Sequence, residues 1–495
     1  MKSYTEWQAL SKSLTFHGQA YINGEFQGAQ SGETFTCVNP ATEQVLVDVA
    51  SCDEEDVNIT VAHAKKVFKS GVWSQMAPKK RKNILLKLAA LMEQHKDELA
   101  LLDTLDMGKS ISEMVNIDMP DAIDCFQWTA ESIDKIYGEI APTGTDTLAL
   151  ISHEPVGVVA CITPWNYPML MASWKIAPAL AAGNSVILKP SEKSPLSVLR
   201  LAELTKEAGI PDGVFNVLPG FGHTAGKALA MHHDVNVLAF TGSTRVASLL
   251  MEYSGKSNMK RVWLEAGGKS PMLIFDDCDV KKAAASAAAS IFSNQGEVCI
   301  ACSRLYVQDT IKAEFMDELL IAASKYKAGD PLDPKTKMGP MVDAVQMNTV
   351  KRFIESAQAE GGDLVFGGVK EYVEGQGYYA QATIIDKANN QMEFVREEIF
   401  GPVLAVSEFK TEEEALELAN DSKYGLGAAL WTENLSRAHR VSRQLESGMV
   451  WVNTWGEGDT TVPFGGVKAS GNGRDKSLHA LEKYTELKNV MIRIG

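Results

Sequence analysis

The sequence lacks any stretch that is dense in lysine or arginine, and its formal net charge at neutral pH is -15. Phosphate backbones bind to clustered basic surfaces, so this charge balance excludes a nucleic-acid partner. No apolar run reaches the length of a membrane-spanning helix, and the polar N-terminal segment has no signal-peptide core. We therefore expect a soluble cytoplasmic protein that has neither nucleic acid nor a membrane as its partner.

Cysteine is sparse and odd in number. The seven cysteines are Cys37, Cys52, Cys125, Cys161, Cys278, Cys299 and Cys302. A thin, odd set does not indicate a disulfide framework. Structural zinc sites use four ligands, usually as two separated pairs, but no second pair or histidine cluster accompanies Cys299 and Cys302. We expect no metal site, so this pair is either a nucleophile with a spare thiol beside it or two core thiols.

Short β-branched runs alternate with helical stretches through the middle of the chain. Strands are predicted at Val156–Ile162, Asn184–Lys189, Val214–Leu218 and Val235–Thr241, and a helix at Ser194–Gly209. This alternation predicts a parallel sheet with helices on both faces, in an α/β fold. Ligands bind such sheets beyond the carboxyl ends of the strands.

Other segments extend this pattern toward both ends of the chain. A capping box at Ser51–Glu54 predicts the start of one helix, and a second helix is predicted at Pro78–Asp106. Another α/β series follows Gly268. The C-terminal segment from Thr485 is predicted to be an isolated strand, which would form an edge for another subunit to complete.

Cys299 is a candidate nucleophile because of its setting. A single cysteine is more often a buried, inert core residue. Here Asn294, Gln295 and Gly296 break the end of an alanine-rich helix just before Cys299. Such a turn can expose a thiol in a cleft, where it can react.

Polar residues at other predicted strand ends supply complementary chemistry. Asn166 can donate its amide to a developing oxyanion, or it is a turn residue. Glu265, in an apolar strand that ends at two glycines, suits a general base with a raised pKa, or it caps a loop. Lys189 and Glu192 can bind a ribose, or they are solvated charges.

Two glycine-containing turns precede helices. They are "GFGHTAG" (Gly220–Gly226) and "FTGST" (Phe240–Thr244), and each can bring a pyrophosphate to a helix N-terminus. Neither matches the G-x-G-x-x-G fingerprint, so each is a weak signal of dinucleotide binding.

Seven motifs occur along the chain in a fixed order: "TPWN", "LKPSE", "FTGS", "LEAGGKSP", "NQGEVC", "EEIFGP" and "PFGGVKASGNGRD". Together they resemble the NAD(P)-dependent aldehyde dehydrogenase superfamily over essentially the whole chain. The sequence departs from the common "LELGGK" at Ala266 and from the common "GRE" at Asp475. Both changes are small, and neither removes a group that the chemistry needs.

The resemblance implies two Rossmann-type α/β domains and a small β oligomerisation element in a homodimer or homotetramer. The NAD-binding domain would comprise residues 1–131 and 156–267, and the catalytic domain residues 268–467. Residues 132–155 and 483–495 would form the oligomerisation element.

The catalytic roles also follow from the resemblance. The Cys299 thiolate would attack the aldehyde carbon to give a thiohemiacetal, with Asn166 and the Cys299 backbone N–H as the oxyanion hole. After oxidation to a thioester, Glu265 would activate the water that releases the acid. Lys175 would support Asn166, and Cys302 would be a spare pocket thiol.

NAD is the implied cofactor, with NADP weaker because Glu192 would repel a 2′-phosphate. Lys189 and Glu192 would contact the adenosine ribose, Ser243 the pyrophosphate and Glu398 the nicotinamide ribose. The full set of cofactor candidates is Ile162, Thr163, Pro164, Trp165, Lys189, Ser191, Glu192, Gly222, Gly226, Phe240, Thr241, Gly242, Ser243, Gly267, Glu398 and Phe400.

The substrate is expected to be a small aldehyde. The likeness is greatest to bacterial enzymes of polyamine catabolism that oxidise γ-glutamyl-γ-aminobutyraldehyde or 4-guanidinobutyraldehyde. Acidic and aromatic side chains would hold its far end, namely Asp118, Asp121, Tyr167, Trp174, Glu457, Asp459 and Phe464. The alternatives are a broad-specificity aliphatic or other semialdehyde dehydrogenase, a coenzyme-A-acylating member, which Glu265 disfavours, and a catalytically retired structural member.

Overall fold

The computed structural model describes residues 1–369 and 375–494. Residues 370–374 of the predicted catalytic domain and Gly495 of the predicted oligomerisation element lie outside the described residues. In the described ranges, the strands form two seven-stranded sheets, one three-stranded sheet and two short pairs. The α/β fold class is confirmed. No helix in these ranges is both long and apolar enough to cross a membrane.

The first large sheet carries the strands that the sequence predicted in the middle of the chain. Its order is Arg261–Glu265, Val237–Thr241, Val158–Ile162, Ser185–Lys189, Phe215–Val217, Ala20–Ile22 and Glu25–Gln27. The first five strands run parallel, and the last two join antiparallel at one edge. The α-helices of this half of the chain are Tyr4–Ser11, Glu54–Ser70, Pro78–Gln94, Lys96–Met107, Ile111–Glu113, Met119–Ser132, Pro168–Ala181, Leu196–Ala208, Lys227–Met231 and Thr244–Lys256.

The second large sheet follows the same plan. Its order is Asp363–Phe366, Thr383–Asp386, Val403–Phe409, Arg304–Gln308, Pro271–Ile274, Gly427–Trp431 and Met449–Val452. All neighbours are parallel except the first pair. Its α-helices are Val280–Phe292, Lys312–Ala323, Ala344–Ala359, Glu393–Arg396, Glu412–Asn420 and Leu435–Gln444. Helices on both faces explain why the central strands are buried along their length.

A third sheet contains the C-terminal strand. Thr485–Arg493 pairs antiparallel with Thr147–Pro155 over its full length, and Glu139–Ala141 completes the sheet. The prediction of an isolated strand was therefore wrong, because its first partner lies in the same chain. The remaining pairs are Thr34–Val38 with Val45–Ala50, and Tyr424–Gly425 with Val467–Lys468. The division into domains and the oligomerisation role stay predictions.

Two helix predictions need correction. The first helix does not start from a box at Ser51–Glu54, because Asp53 is the N-cap and its backbone N–H donates to Asp56. The second is interrupted at His95, whose ψ of 15° separates Pro78–Gln94 from Lys96–Met107. Gly108 ends the latter helix in the left-handed conformation that glycine adopts readily.

Candidate active site

Four predicted site residues end four neighbouring parallel strands. Ile162, Lys189, Thr241 and Glu265 are each the last residue of their strand. Carboxyl ends of parallel strands meet at one edge of the sheet, which is where ligands bind in open α/β sheets. This arrangement explains how residues up to 103 positions apart (Ile162 and Glu265) contribute to one site.

The cysteine loop reverses direction directly after the helix Val280–Phe292. Asn294 and Gln295 both have left-handed φ values of 45°, and Gly296 has a φ of 74°. A Cβ on Gly296 would lie 2.3 Å from the carbonyl carbon of Gly401, so only glycine fits. The turn brings Cys299 to the wall of a cavity.

All seven cysteines are free thiols in the described ranges, but the two near this turn differ in position. Cys299 is partly exposed and lines the cavity, whereas Cys302 is buried in the core of the second half of the chain. The prediction of Cys302 as a pocket thiol was wrong. Burial, together with the Glu398 and Glu265 carboxyl groups, raises the pKa of Cys299 to about 12. The resting thiol is therefore protonated at neutral pH.

Glu265 lies beside the nucleophile. It lines a small enclosed cavity together with Cys299 and Thr241, and it is only 4% exposed. Neither carboxyl oxygen has a hydrogen-bond partner among the described residues. Burial, and next the nearby Asp475 carboxylate, raises the pKa of Glu265 well above its ordinary value. A buried carboxyl without partners is suited to take a proton from a water molecule.

Asn166 is tied to the cysteine loop. Its Nδ2 donates to the carbonyl oxygen of Glu297 at 2.8 Å, and Asn294 Nδ2 donates to the Asn166 carbonyl at 3.0 Å. A side-chain amide has two N–H donors, so one remains for an oxyanion. The sequence motifs contained Glu297, but its role was missed. Its buried carboxyl accepts hydrogen bonds from Val342 N and Gln295 Nε2, which anchors the loop ahead of Cys299.

Among the described residues, Lys175 forms its side-chain hydrogen bond with Asp475 and not with Asn166. Its Nζ lies 2.9 Å from Asp475 Oδ2, and Lys483 pairs with the other oxygen of the same carboxylate. Lys175 thus belongs to a buried ion network near Glu265, and its support of Asn166 and the site stays a prediction. Burial alone would raise the pKa of Asp475, but the two ammonium groups hold it below its ordinary value.

Glu398 packs against the glycines that follow Glu265. Gly268 N donates to its Oε1 at 3.0 Å, and a Cβ on Gly267 would lie 1.9 Å from its Oε2. Burial raises the pKa of Glu398 to about 7. The Gly267 backbone approaches this carboxyl so closely that a larger residue there would displace the Glu398 side chain, and the contact of Glu398 with a ribose stays a prediction.

The remaining cofactor candidates, apart from Phe400, lie near the carboxyl ends of strands of the first sheet. Lys189 Nζ is 3.6 Å from Glu192 Oε2, and a Cβ on Gly226 would lie 3.9 Å from Lys189 Cδ and 4.0 Å from Ile162 Cδ1. Ser243 is the N-cap of Thr244–Lys256, and the Trp165 and Phe400 rings meet at 5.3 Å. Thr163, Pro164, Ser191 and Gly242 occupy loops that follow the strands, whereas Phe240 lies within the strand Val237–Thr241 and Gly222 begins a π-helical turn.

A cavity of about 560 Å³ leads to Cys299. Predicted substrate residues that line it are Asp118, Asp121, Tyr167, Trp174, Glu457 and Phe464. Asp459 does not line it, because its carboxylate turns back to accept a hydrogen bond from Thr461 N. The lining residues that the sequence did not single out include Lys109, Met171, Ile300, Trp451 and Lys476.

Asp118 is already paired. Both of its carboxylate oxygens lie 2.8 Å from Lys109 Nζ, which also sits 3.9 Å from the centre of the Tyr167 ring. Asp121, one turn along, is exposed at the rim and forms no ion pair among the described residues. The two carboxylates therefore differ in pairing: Asp118 is bound to Lys109, whereas Asp121 lines the cavity without an ion-pair partner among the described residues.

Comparison with known proteins agrees with this geometry. Residues 26–490 match the model of the aldehyde dehydrogenase family. The chain is 52% identical over 489 residues to the NADP/NAD-dependent aldehyde dehydrogenase PuuC of Escherichia coli (strain K12), covering 99% of this chain and 98% of PuuC.

Two solved structures are also similar over the full length of both chains. The γ-glutamyl-γ-aminobutyraldehyde dehydrogenase of Burkholderia cenocepacia has 52% identity and a TM-score of 0.98. The indole-3-acetaldehyde dehydrogenase AldA of P. syringae, in complex with NAD+ and IAA, has 53% identity and a TM-score of 0.98. The chain therefore belongs to the aldehyde dehydrogenase family and is an oxidoreductase that acts on aldehydes.

Proposed function

We propose that this protein oxidises an aldehyde with a charged far end to the carboxylic acid, using NAD. The substrate class comprises ω-amino-, guanidino- and γ-glutamylamino-butyraldehydes, and the pathway is polyamine catabolism in the cytoplasm. The observation that carries the proposal is one cavity with Cys299 in its wall and unpaired acidic side chains at its rim. The name of the B. cenocepacia structure, a γ-glutamyl-γ-aminobutyraldehyde dehydrogenase, supports the same class.

The reaction starts at Cys299. Its thiol, which is partly exposed at the cavity wall, releases a proton to solvent, and the thiolate attacks the aldehyde carbon while the carbonyl electrons move to oxygen. The free Asn166 N–H and the Cys299 backbone N–H stabilise this oxyanion in the thiohemiacetal. When bound, NAD supplies the hydride acceptor that converts this adduct to a thioester. The burial of Asn166 and Glu265 strengthens charge interactions in the site.

Glu265 then serves as the base for hydrolysis. In its unprotonated form the carboxylate takes a proton from water, and the hydroxide adds to the thioester carbon. Collapse of that adduct breaks the carbon–sulfur bond, which releases the acid and restores Cys299. The missing hydrogen-bond partners of Glu265 suit this role, because a carboxyl held by fixed donors would be a weaker base.

The residues present fit a dinucleotide. Glu192 and Glu398 would hold ribose hydroxyls through their carboxyl oxygens, and the N-terminus of the helix that starts at Thr244 would hold a phosphate. Gly222 has open space on its Cβ side, so the chain can approach a ligand closely. Glu192 is partly exposed beside Lys189 and would repel a 2′-phosphate, which favours NAD over NADP.

The far end of the substrate meets acids and aromatic rings. Asp121 and Glu457 are exposed at the rim, and Trp174, Trp455 and Phe464 form walls. Exposed ion pairs contribute about 0–1 kcal/mol, but a partly desolvated ammonium–carboxylate contact contributes roughly 1.5–3 kcal/mol. That difference corresponds to about tenfold or more in kcat/KM. The aromatic walls also favour a second candidate, an uncharged aliphatic or aromatic aldehyde.

We further propose a homodimer or homotetramer that forms through the three-stranded sheet. Its C-terminal strand exposes a row of apolar side chains, with Leu487 66% exposed and Met491 58% exposed. An exposed strand of this kind is a template for pairing with another chain.

A substrate panel separates the candidates. We expect wild-type kcat/KM to be higher for 4-aminobutyraldehyde and γ-glutamyl-γ-aminobutyraldehyde than for hexanal. Asp121→Asn should raise the KM for 4-aminobutyraldehyde about tenfold and should change the KM for hexanal little. Glu131→Gln, on an exposed part of the same helix, is the matched control. A preference for hexanal, or equal losses on both substrates, would contradict the proposed substrate class.

A further inference from the structure

One cation at the substrate cavity has no carboxylate partner. Lys476 lines the cavity, yet no carboxylate oxygen of the described residues lies within 4.0 Å of its Nζ. Its neighbour Lys109, by contrast, is closely paired with Asp118. An ammonium without a partner at a ligand cavity is a candidate for binding an anion.

The surroundings of Lys476 fix where its charge lies. Nζ sits 5.4 Å from the centre of the Trp174 ring, and a methyl group on Gly458 would lie 3.4 Å from it. Lys476 itself is half-buried, with a left-handed φ of 61°. Trp174 and Gly458 both line the cavity, so the ammonium is held at its wall. Burial lowers the pKa of Lys476, while Asp121 and other nearby carboxylates oppose that shift.

Charges of both signs therefore border the same cavity. Asp121 and Glu457 are its exposed acids, and Lys476 is its unpaired base. An amine alone would be attracted by the acids but repelled by Lys476. A molecule whose far end carries both an ammonium and a carboxylate can pair with the acids and with Lys476 at the same time.

We infer that Lys476 binds the α-carboxylate of an aldehyde whose far end is an α-amino acid, while Asp121 and Glu457 hold its α-ammonium. A γ-glutamyl amide of an aminoaldehyde has this end group. The inference rests on the proposed function and narrows its substrate class. It makes Lys476 a specificity-determining residue that distinguishes γ-glutamylated aldehydes from simple amino- and guanidino-aldehydes. The cavity of about 560 Å³ lies within the ~300–1,000 Å³ range of ligand pockets.

Two matched substrates test the inference. One is γ-glutamyl-γ-aminobutyraldehyde, and the other is the same molecule with its α-carboxylate replaced by a carboxamide. Wild-type enzyme should favour the carboxylate form by about tenfold in kcat/KM, mainly through KM, because a charge-assisted contact is lost in the amide. Lys476→Met should abolish that preference, and Lys476→Arg should retain most of it.

The ratio of kcat/KM for the carboxylate substrate to kcat/KM for the carboxamide substrate reports the Lys476 contact alone, because general damage to the site lowers both values. A ratio near one in wild-type enzyme, or an unchanged ratio in Lys476→Met, overturns the inference. So does a Lys476→Met variant that only gains activity on 4-aminobutyraldehyde, because the lysine would then repel cations without holding a carboxylate. Failure of the proposed function shows separately, as a wild-type preference for hexanal over all charged aldehydes.

Discussion

Lys175 Nζ lies 2.9 Å from Asp475 Oδ2 in a part of the protein where both side chains are buried. Lys483 pairs with the same carboxylate. Removing one member of a buried ion network leaves uncompensated charge, which costs roughly 3–5 kcal/mol. Asp475→Asn should therefore lower the midpoint of thermal unfolding clearly at pH 7, whereas Asp317→Asn, at an exposed helix position, should not.

The pH dependence of this effect has a definite sign. Because the folded pKa of Asp475 is depressed, its stabilising contribution is complete above the unfolded value of about 3.9 and is lost as the pH falls further. The difference in stability between wild type and Asp475→Asn should begin to shrink below about pH 4 and should shrink further as the pH falls through the depressed folded pKa. Equal midpoints of the two proteins at pH 7 would show that the ion network contributes little.

Cys299 is predicted to be the essential thiol. Cys299→Ala should abolish dehydrogenase activity and leave folding intact, because its side chain lies at a cavity wall. Cys302→Ala removes a small side chain from the core, so it should cost about 1 kcal/mol in stability and retain most of the activity. An inactive Cys302→Ala variant together with an active Cys299→Ala variant would reverse the assignment.

The raised pKa of Cys299 predicts slow alkylation in the cofactor-free enzyme. Because the pKa is raised to about 12, the thiolate fraction stays small at neutral pH and rises with pH. The rate of iodoacetamide modification, followed by mass spectrometry of the peptide that contains Cys299, should still increase above pH 9. A rate that levels off below pH 8 would place the pKa in the range of an activated thiol.

Glu192 is predicted to set the cofactor preference. Wild-type enzyme should have a higher kcat/KM for NAD than for NADP, and Glu192→Gln should narrow the difference by removing a charge that repels the 2′-phosphate. Glu207→Gln, an exposed acid on a helix of the same half of the chain, is the control. An NADP-preferring wild type, or an unchanged ratio in Glu192→Gln, would contradict this role.

Local sequence patterns predicted the sheet that positions the site, but not the contacts between distant side chains. The apolar runs that end at Ile162, Lys189 and Thr241, and the run that contains Glu265, were sufficient to predict strands of a parallel sheet with site residues at their carboxyl ends, but the order of those strands was not predicted. Hydrophobic periodicity and composition are local properties of the sequence, and they predict the type and position of secondary-structure elements well. The partner of Thr485–Arg493 lies more than 300 residues away, so no local pattern could reveal it.

Side-chain partners were harder to predict for the same reason. Lys175 and Asp475 are 300 positions apart, and Lys109 pairs with Asp118 through a π-helical turn at Met114–Asp118 that simple 3.6-residue periodicity does not anticipate. For Cys302 the error was to predict a shared site for residues that are close in sequence. Its nearness to Cys299 in sequence suggested a shared pocket, but the loop turns it into the core.

The central claim is that Cys299 forms a covalent acyl intermediate that Glu265 then hydrolyses. Rapid mixing of Glu265→Gln with NAD and a good aldehyde substrate tests it most directly, with NADH absorbance as the signal. We predict a burst that approaches one NADH per active site, followed by very slow turnover, because the thioester forms but water is not activated. No burst, with substrate and NAD binding intact, would contradict the claim and remove Glu265 from the deacylation step.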